Sequence, residues 1–132
     1  MIVVDASVVV TALADDGPDG ALARARLRDE VLAAPELIDL EVLSVIRRLE
    51  TGGRMTPVRA LQAIGDLHAL RVERAPHRPL SARCWELRHN ISPFDAAYVA
   101  LAEGLDSVLV TADARLARAP GPTCEIELLV RP

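Results

Sequence analysis

The sequence predicts an α/β fold with a central parallel sheet of four or five strands and helices on both faces. Three observations carry that prediction. Strand-like and helix-like segments alternate along the chain, the pattern of a parallel sheet with helical crossovers. Two strand-like runs, around Ile2-Val-Val and Val108-Leu-Val, are apolar throughout, as expected of strands covered on both faces. Glycine, proline and capping residues punctuate the helical segments at their ends.

Taken in order, Ile2–Asp5 reads as the first strand and Ser7–Ala14 as a short helix. Asp15-Asp-Gly-Pro-Asp-Gly20 is a turn cluster. A polar, arginine-rich helix runs from there to about Asp29. Val31–Ala34 is a short strand ended by Pro35, and Glu36–Thr51 is a helix stopped by Gly52-Gly53. Thr56-Pro57 starts a helix that runs to about Leu70. Val72–Arg74 is a short strand, and Pro79–His89 a helix containing Trp85. Ser92–Glu103 is the next helix, with Gly104 as its C-terminal cap. Ser107–Thr111 is a strand, Asp113–Arg118 a short helix and Glu125–Val130 a final strand. There is no repeat, low-complexity stretch or dividing linker, so residues 1–132 are expected to form one domain.

Composition removes several classes of function. Hydrophobic residues make up 51% of the chain, which argues against disorder. One Phe, one Tyr and one Trp leave a core of Ala, Val, Leu and Ile, and argue against an aromatic platform for single-stranded nucleic acid. The net charge of −4 does not suit a protein that coats nucleic acid nonspecifically. All 15 basic residues are arginine, so any phosphate contact uses guanidinium groups. Cys84 and Cys124 are widely separated and read as reduced packing thiols. No apolar run reaches transmembrane length and no basic-plus-apolar leader precedes the first strand, so a cytoplasmic protein without a membrane partner is expected.

Four acids stand out because their surroundings are predominantly apolar. Asp5 ends the first strand, Glu41 lies on the helix after the second, Asp95 opens the helix Asp95–Glu103, and Asp113 follows the strand ending at Thr111. Each has a structural alternative. Asp5 or Ser7 caps the first helix, Ser92-Pro-Phe-Asp95 is a capping box, and Asp113 caps the helix after it. Glu41 fits such a reading less well, because its helical neighbours are mostly apolar and Arg48 is too far along for the usual ion pair. Strand ends and helix starts meet at one edge of a parallel sheet, where ligands bind. Four carboxylates converging there repel unless a cation sits among them. An oxygen-only set of that kind suits Mg²⁺ or Mn²⁺.

These segments resemble the PIN-domain nucleases, and most closely the VapC-like ribonuclease toxins of bacterial toxin–antitoxin pairs. The resemblance rests on Ile2-Val-Val-Asp-Ala-Ser7, the helix bearing Glu41, Ile91-Ser-Pro-Phe-Asp-Ala-Ala-Tyr-Val-Ala-Leu-Ala102 and Leu109-Val-Thr-Ala-Asp113. It implies a PIN-like three-layer α/β/α fold and divalent-metal-dependent hydrolysis of RNA phosphodiester bonds. Asp5, Glu41, Asp95 and Asp113 then match the acidic quartet that holds Mg²⁺ or Mn²⁺, and Ser7 and Thr111 its accessory hydroxyls. Some relatives carry a further acid where this chain has Arg115. That departure leaves open whether one metal or two are held. Arg115, Arg118 and Arg88 are the candidate RNA contacts. The apolar arm Glu36–Leu70 would form a groove for a cognate antitoxin, which would extend an arginine towards the acids. Homodimers are common among such relatives.

Competing readings remain at this point. A phosphatase with an aspartyl nucleophile typically needs a second acid two residues after the first, where this chain has Ser7, and there is no lysine to hold phosphate. A degenerate partner-binding domain would use the acids only as caps. A non-toxin RNA-processing or DNA-cleaving PIN nuclease shares the same site. His68, His77 and His89 lie outside the acidic segments and are read as surface or core residues rather than catalytic ones.

Overall fold

A computed structural model describes all of residues 1–132. Five strands form one parallel sheet: β1 (Ile2–Val4), β2 (Leu32–Pro35), β3 (Val72–Ala75), β4 (Val108–Thr111) and β5 (Ile126–Leu128). Their order across the sheet is β3-β2-β1-β4-β5. The helices are α1 (Ala6–Ala14), α2 (Pro18–Leu27), α3 (Ile38–Thr51), α4 (Pro57–Ala69), α5 (Ser81–Glu86), α6 (Pro93–Gly104) and α7 (Ala114–Arg118). A single 3₁₀ turn, Arg78–Leu80, leads into α5.

The chain winds from β1 outward to β3, then crosses back to β4 and β5 on the other side of β1. Right-handed crossovers therefore put α1–α4 on one face and α5–α7 on the other. The packing agrees: α1 contacts α2, α3 and α4, whereas α6 packs on α5 and lies across β1, β2 and β4. The reversal between β1 and β4 is a topological switch point, and it opens a crevice beyond the carboxyl ends of those two strands.

Burial follows from composition. Val3, Val4, Leu109 and Val110 are completely buried, and small alanines along α6 (Ala96, Ala100, Ala102) let that helix sit close on the sheet. Tyr98, also on α6, is the largest of the completely buried side chains. No helix is long and apolar enough to cross a membrane. Cys84 and Cys124 are both free thiols.

The structure corrects several expected boundaries. β2 continues through Pro35 because β1 pairs with β2 only as far as Ala33; beyond that point the missing proline N–H deprives no strand of a partner. The Glu36 amide is still bonded to Ala75 on the β3 side, so α3 begins at Ile38 rather than at Glu36. The Pro79–His89 helix shortens to α5 after its 3₁₀ turn. Gly104 is the last residue of α6 rather than its cap, and the left-handed residue falls at Asp106, with φ 50°. Gly53, with φ 75°, does end α3 as expected of a glycine at a stop.

Candidate active site

The carboxyl edge of the sheet is built by one strand end and three helix starts. The Asp5 amide bonds to the Val110 carbonyl at 3.0 Å, which carries the β1–β4 ladder one residue past β1. That bond holds Asp5 at the switch point. Asp5 is 7% exposed, and its Oδ2 accepts hydrogen bonds from Ser7 Oγ at 2.6 Å and Thr111 Oγ1 at 2.9 Å. The Ser7 and Thr111 oxygens are tied down in turn, accepting from the amides of Ala112 and Asp113 at 3.0 Å each. The two hydroxyls thus link the ends of β1 and β4.

Asp5 does not cap α1 with its side chain. The capping alternative is realised for Asp113, whose Oδ1 accepts from the amides of Arg115 and Leu116. Ser92 accepts from the Asp95 amide at 3.2 Å, so that half of the capping box is formed. Glu41 is half-buried in the first turn of α3, and its Oε1 accepts a hydrogen bond from Tyr98 Oη at 2.7 Å. Tyr98 was not among the residues singled out from the sequence. Inside an otherwise apolar helix it reads as core, and only the three-dimensional meeting of α3 with α6 reveals its partner.

One pattern recurs. Asp5, Glu41 and Asp113 each have one carboxylate oxygen held by the protein, at Oδ2, Oε1 and Oδ1 respectively. The other oxygen of each has no protein donor, so its lone pairs remain for a further partner.

The acids also act on one another. Burial is the main cause that raises the Glu41 carboxyl above its ordinary value; the Tyr98 hydrogen bond opposes it, while the negative charges of Asp5 and Asp95 add to it. Asp95 is raised for the same reason, chiefly by burial and then by Asp5 and Asp113, with Arg115 and Ser92 opposing. The four therefore share one electrostatic field. No three of them close on a single point as a ready-made ligand cage; mutual repulsion favours such spacing. Their donor set is all oxygen, and a divalent cation would offset both the burial and the mutual repulsion that raise Glu41 and Asp95. On that ground the residues fit the group.

Of the three candidate arginines, two border the acids. Arg115 and Arg118 line a cleft of ≈ 430 Å³ with Asn90, Ser92 and Asp95. Arg88 does not reach it. Its guanidinium lies 4.4 Å from the centre of the Trp85 ring, in a separate apolar groove with Leu37 and Phe94. His77 has a structural job, because its Nε2 accepts from the Leu37 amide at 3.0 Å at the start of α3. His68 and His89 are exposed.

The switch point of a doubly wound sheet, here carrying hydroxyl-braced acids, is the place where open α/β sheets bind their ligands. The PIN domain family matches residues 2–122. Ribonuclease VapC1 of Mycobacterium tuberculosis is 44% identical over 128 residues, spanning 96% of both chains. Ribonuclease VapC9 of the same organism is 42% identical, across 99% of this chain and 100% of the relative. Among solved structures, M. tuberculosis VapC20, a toxin that cleaves the sarcin–ricin loop, superposes with a TM-score of 0.68 at 17% identity, covering 89% of this chain and 93% of that one. The Rickettsia felis VapBC2 complex, bound to a DNA fragment from its promoter, gives 0.67 at 18% identity, with 97% and 98% covered. The chain belongs to the PIN-domain family and, within it, to the VapC ribonucleases.

Proposed function

We propose that the chain is a divalent-metal-dependent endoribonuclease that hydrolyses RNA phosphodiester bonds as the toxin of a toxin–antitoxin pair, working in the cytoplasm. The observation that carries this reading is the edge itself: acids at the β1–β4 switch point, three of them with one oxygen fixed and one left over, in a chain related throughout to VapC ribonucleases.

Asp5, Asp95 and Asp113 would hold Mg²⁺ or Mn²⁺, with Glu41 holding a second ion or orienting the attacking water. When bound, such an ion lowers the pKa of its water and neutralises charge on the phosphoryl oxygens. The protein's part is to fix the donors. Ser7 and Thr111 lock the Asp5 rotamer, and the α7 amides lock Asp113. Arg115 and Arg118 offer guanidinium donors along the Asp95 cleft, where an RNA phosphate would lie. Arg115 also answers the missing acid: a cation at that position relieves Asp95 and adds a phosphate contact.

Restraint would come from an antitoxin on the arm α3–α4. Leu40, Val58 and Leu61 are each about 70% exposed there, whereas Leu67 on the same helix as Leu61 is buried. An amphipathic antitoxin helix fits such a strip, and an arginine following it would find the acids. The apolar groove with Leu37, Trp85 and Phe94 supports a homodimer, because Trp85 and Phe94 are each nearly two-thirds exposed.

Purified protein, freed of partner, should cut RNA with Mg²⁺ or Mn²⁺ and stop with EDTA. Asp5→Ala should stay folded and inactive. No cleavage across a broad RNA panel would refute the nuclease reading. Full inhibition of a Leu40→Asp, Leu61→Asp variant by the antitoxin would refute docking on the arm. Light scattering that finds a monomer at all concentrations would refute the dimer.

A further inference from the structure

The contact between α3 and α6 at the acid edge points to a role for Tyr98. Its ring is completely buried, yet its hydroxyl lies 2.7 Å from Glu41 Oε1. Glu41 follows β2 on one layer of the fold, and Tyr98 stands one turn into α6 on the other. Side chains on a helix lean towards its N-terminus, so Tyr98 reaches back to the carboxyl edge of the sheet.

We propose that Tyr98 is a positioning residue of this site: its hydroxyl holds one oxygen of Glu41 so that the other faces the divalent cation or the attacking water. The proposal rests on the metal-dependent reading of the acid edge given above. It completes a pattern, because Ser7 and Thr111 do the same for Asp5 and the α7 amides do it for Asp113. A phenylalanine would fill the same core space without needing an acceptor, so packing alone does not call for the hydroxyl. A phenol carries its own O–H and can donate to a carboxylate oxygen that accepts only. Groups that orient metal ligands in this way typically contribute about 10- to 100-fold to metal affinity or activity.

The chain has a single tyrosine, which makes Tyr98 observable without a label. Mg²⁺ titration should move its ring signals in NMR saturably, and Glu41→Ala should abolish that movement. Tyr98→Phe should weaken Mn²⁺ binding by calorimetry about 10- to 100-fold. It should lower kcat while leaving KM for RNA unchanged, because a buried ring cannot touch RNA, and excess Mn²⁺ should restore part of the rate. In a Glu41→Ala background, Tyr98→Phe should add no further loss. A folded Tyr98→Phe protein that binds Mn²⁺ and cuts RNA like wild type overturns the proposal and leaves the nuclease reading intact. So does an independent, additive effect in the double variant. If Tyr98→Phe does not fold, the wild-type spectrum decides: ring signals that stay still while Mg²⁺ binds overturn the role. Wild type that neither binds Mn²⁺ nor cuts RNA removes the nuclease reading, and the role of Tyr98 falls with it.

Discussion

Helix α6 carries a carboxylate near each end, and the fold treats the two in opposite ways. Asp95 stands in the first turn, where the helix dipole favours an anion, and Glu103 in the last, where it does not. Their titration runs the other way. The Asp95 carboxyl is raised, whereas Glu103 is lowered to about 2. Neighbours decide the difference. Glu103 accepts from Arg83 Nε at 2.7 Å, and from the Thr123 amide and hydroxyl at 2.7 and 2.9 Å. Asp95 meets burial and two further acids, with only Arg115 and Ser92 to oppose them. A dipole term is about 0.3–1 kcal/mol, and each hydrogen bond to a charged group is about 1.5–3 kcal/mol, so local partners outweigh the helix. One end of α6 is a closed clamp with its cation built in. The other leaves its charge only partly compensated, by Arg115 and Ser92.

The sharpest way to break this comparison is to neutralise one acid at the open end. Asp5→Asn or Asp95→Asn should remove most Mn²⁺ affinity in calorimetry and reduce RNA cleavage to background, with the fold kept by circular dichroism. If Asp95 were another structural clamp, cleavage per folded molecule would survive.

The closed end should respond in the opposite sense. Glu103→Ala should destabilise the protein by about 1–2 kcal/mol in urea denaturation, the value expected of charge-assisted bonds near the surface after solvent screening. Cleavage per folded molecule should be unchanged. A loss of activity at full stability would make Glu103 part of the site.

Acidity gives a third contrast. Glu103 titrates lower in the folded state than unfolded, so its stabilisation is present above the ordinary carboxylate range and is lost as pH falls towards about 2. Glu41 and Asp95 titrate higher when folded. Without metal, their share of stability is present below the ordinary range and is lost as pH rises through their raised values. Thermal melts in EDTA should therefore show stability falling as pH rises just above the ordinary carboxylate range, and Asp95→Asn should flatten that slope. The smallest effect follows from the same source: at neutral pH without metal, Asp95→Asn should melt a few degrees higher than wild type. Equal or lower melting would mean that the acids do not strain one another.

Much of this was legible in the chain. Ile2-Val-Val and Leu109-Val announce buried parallel strands because nothing polar interrupts them, and Asp5 and Asp113 are conspicuous for ending such runs. The Thr111 hydroxyl accepts locally from the Asp113 amide, but it donates to Asp5, 106 positions away, and no local pattern encodes that distance. The arginines were harder. Arg115 and Arg118 share a helix next to an acid and reach the cleft, whereas Arg88 is drawn away by Trp85. Three aromatic residues argued against a base-stacking platform, and no local pattern announced that two of them, Trp85 and Phe94, gather in one groove. Helix ends were least readable where another segment supplied the cap, as His77 does for the Leu37 amide.

The bond between Thr111 and Asp5 also sets an order of events at the ribosome. The arm α3–α4 is complete at Ala69, before β4 has been made. At about 5–20 residues per second, a few seconds of synthesis separate the end of the arm from Thr111, and until then Asp5 lacks that hydroxyl and the quartet lacks Asp113. The four acids therefore meet only after Asp113 has been made, so the edge is completed late in synthesis whereas the arm is not.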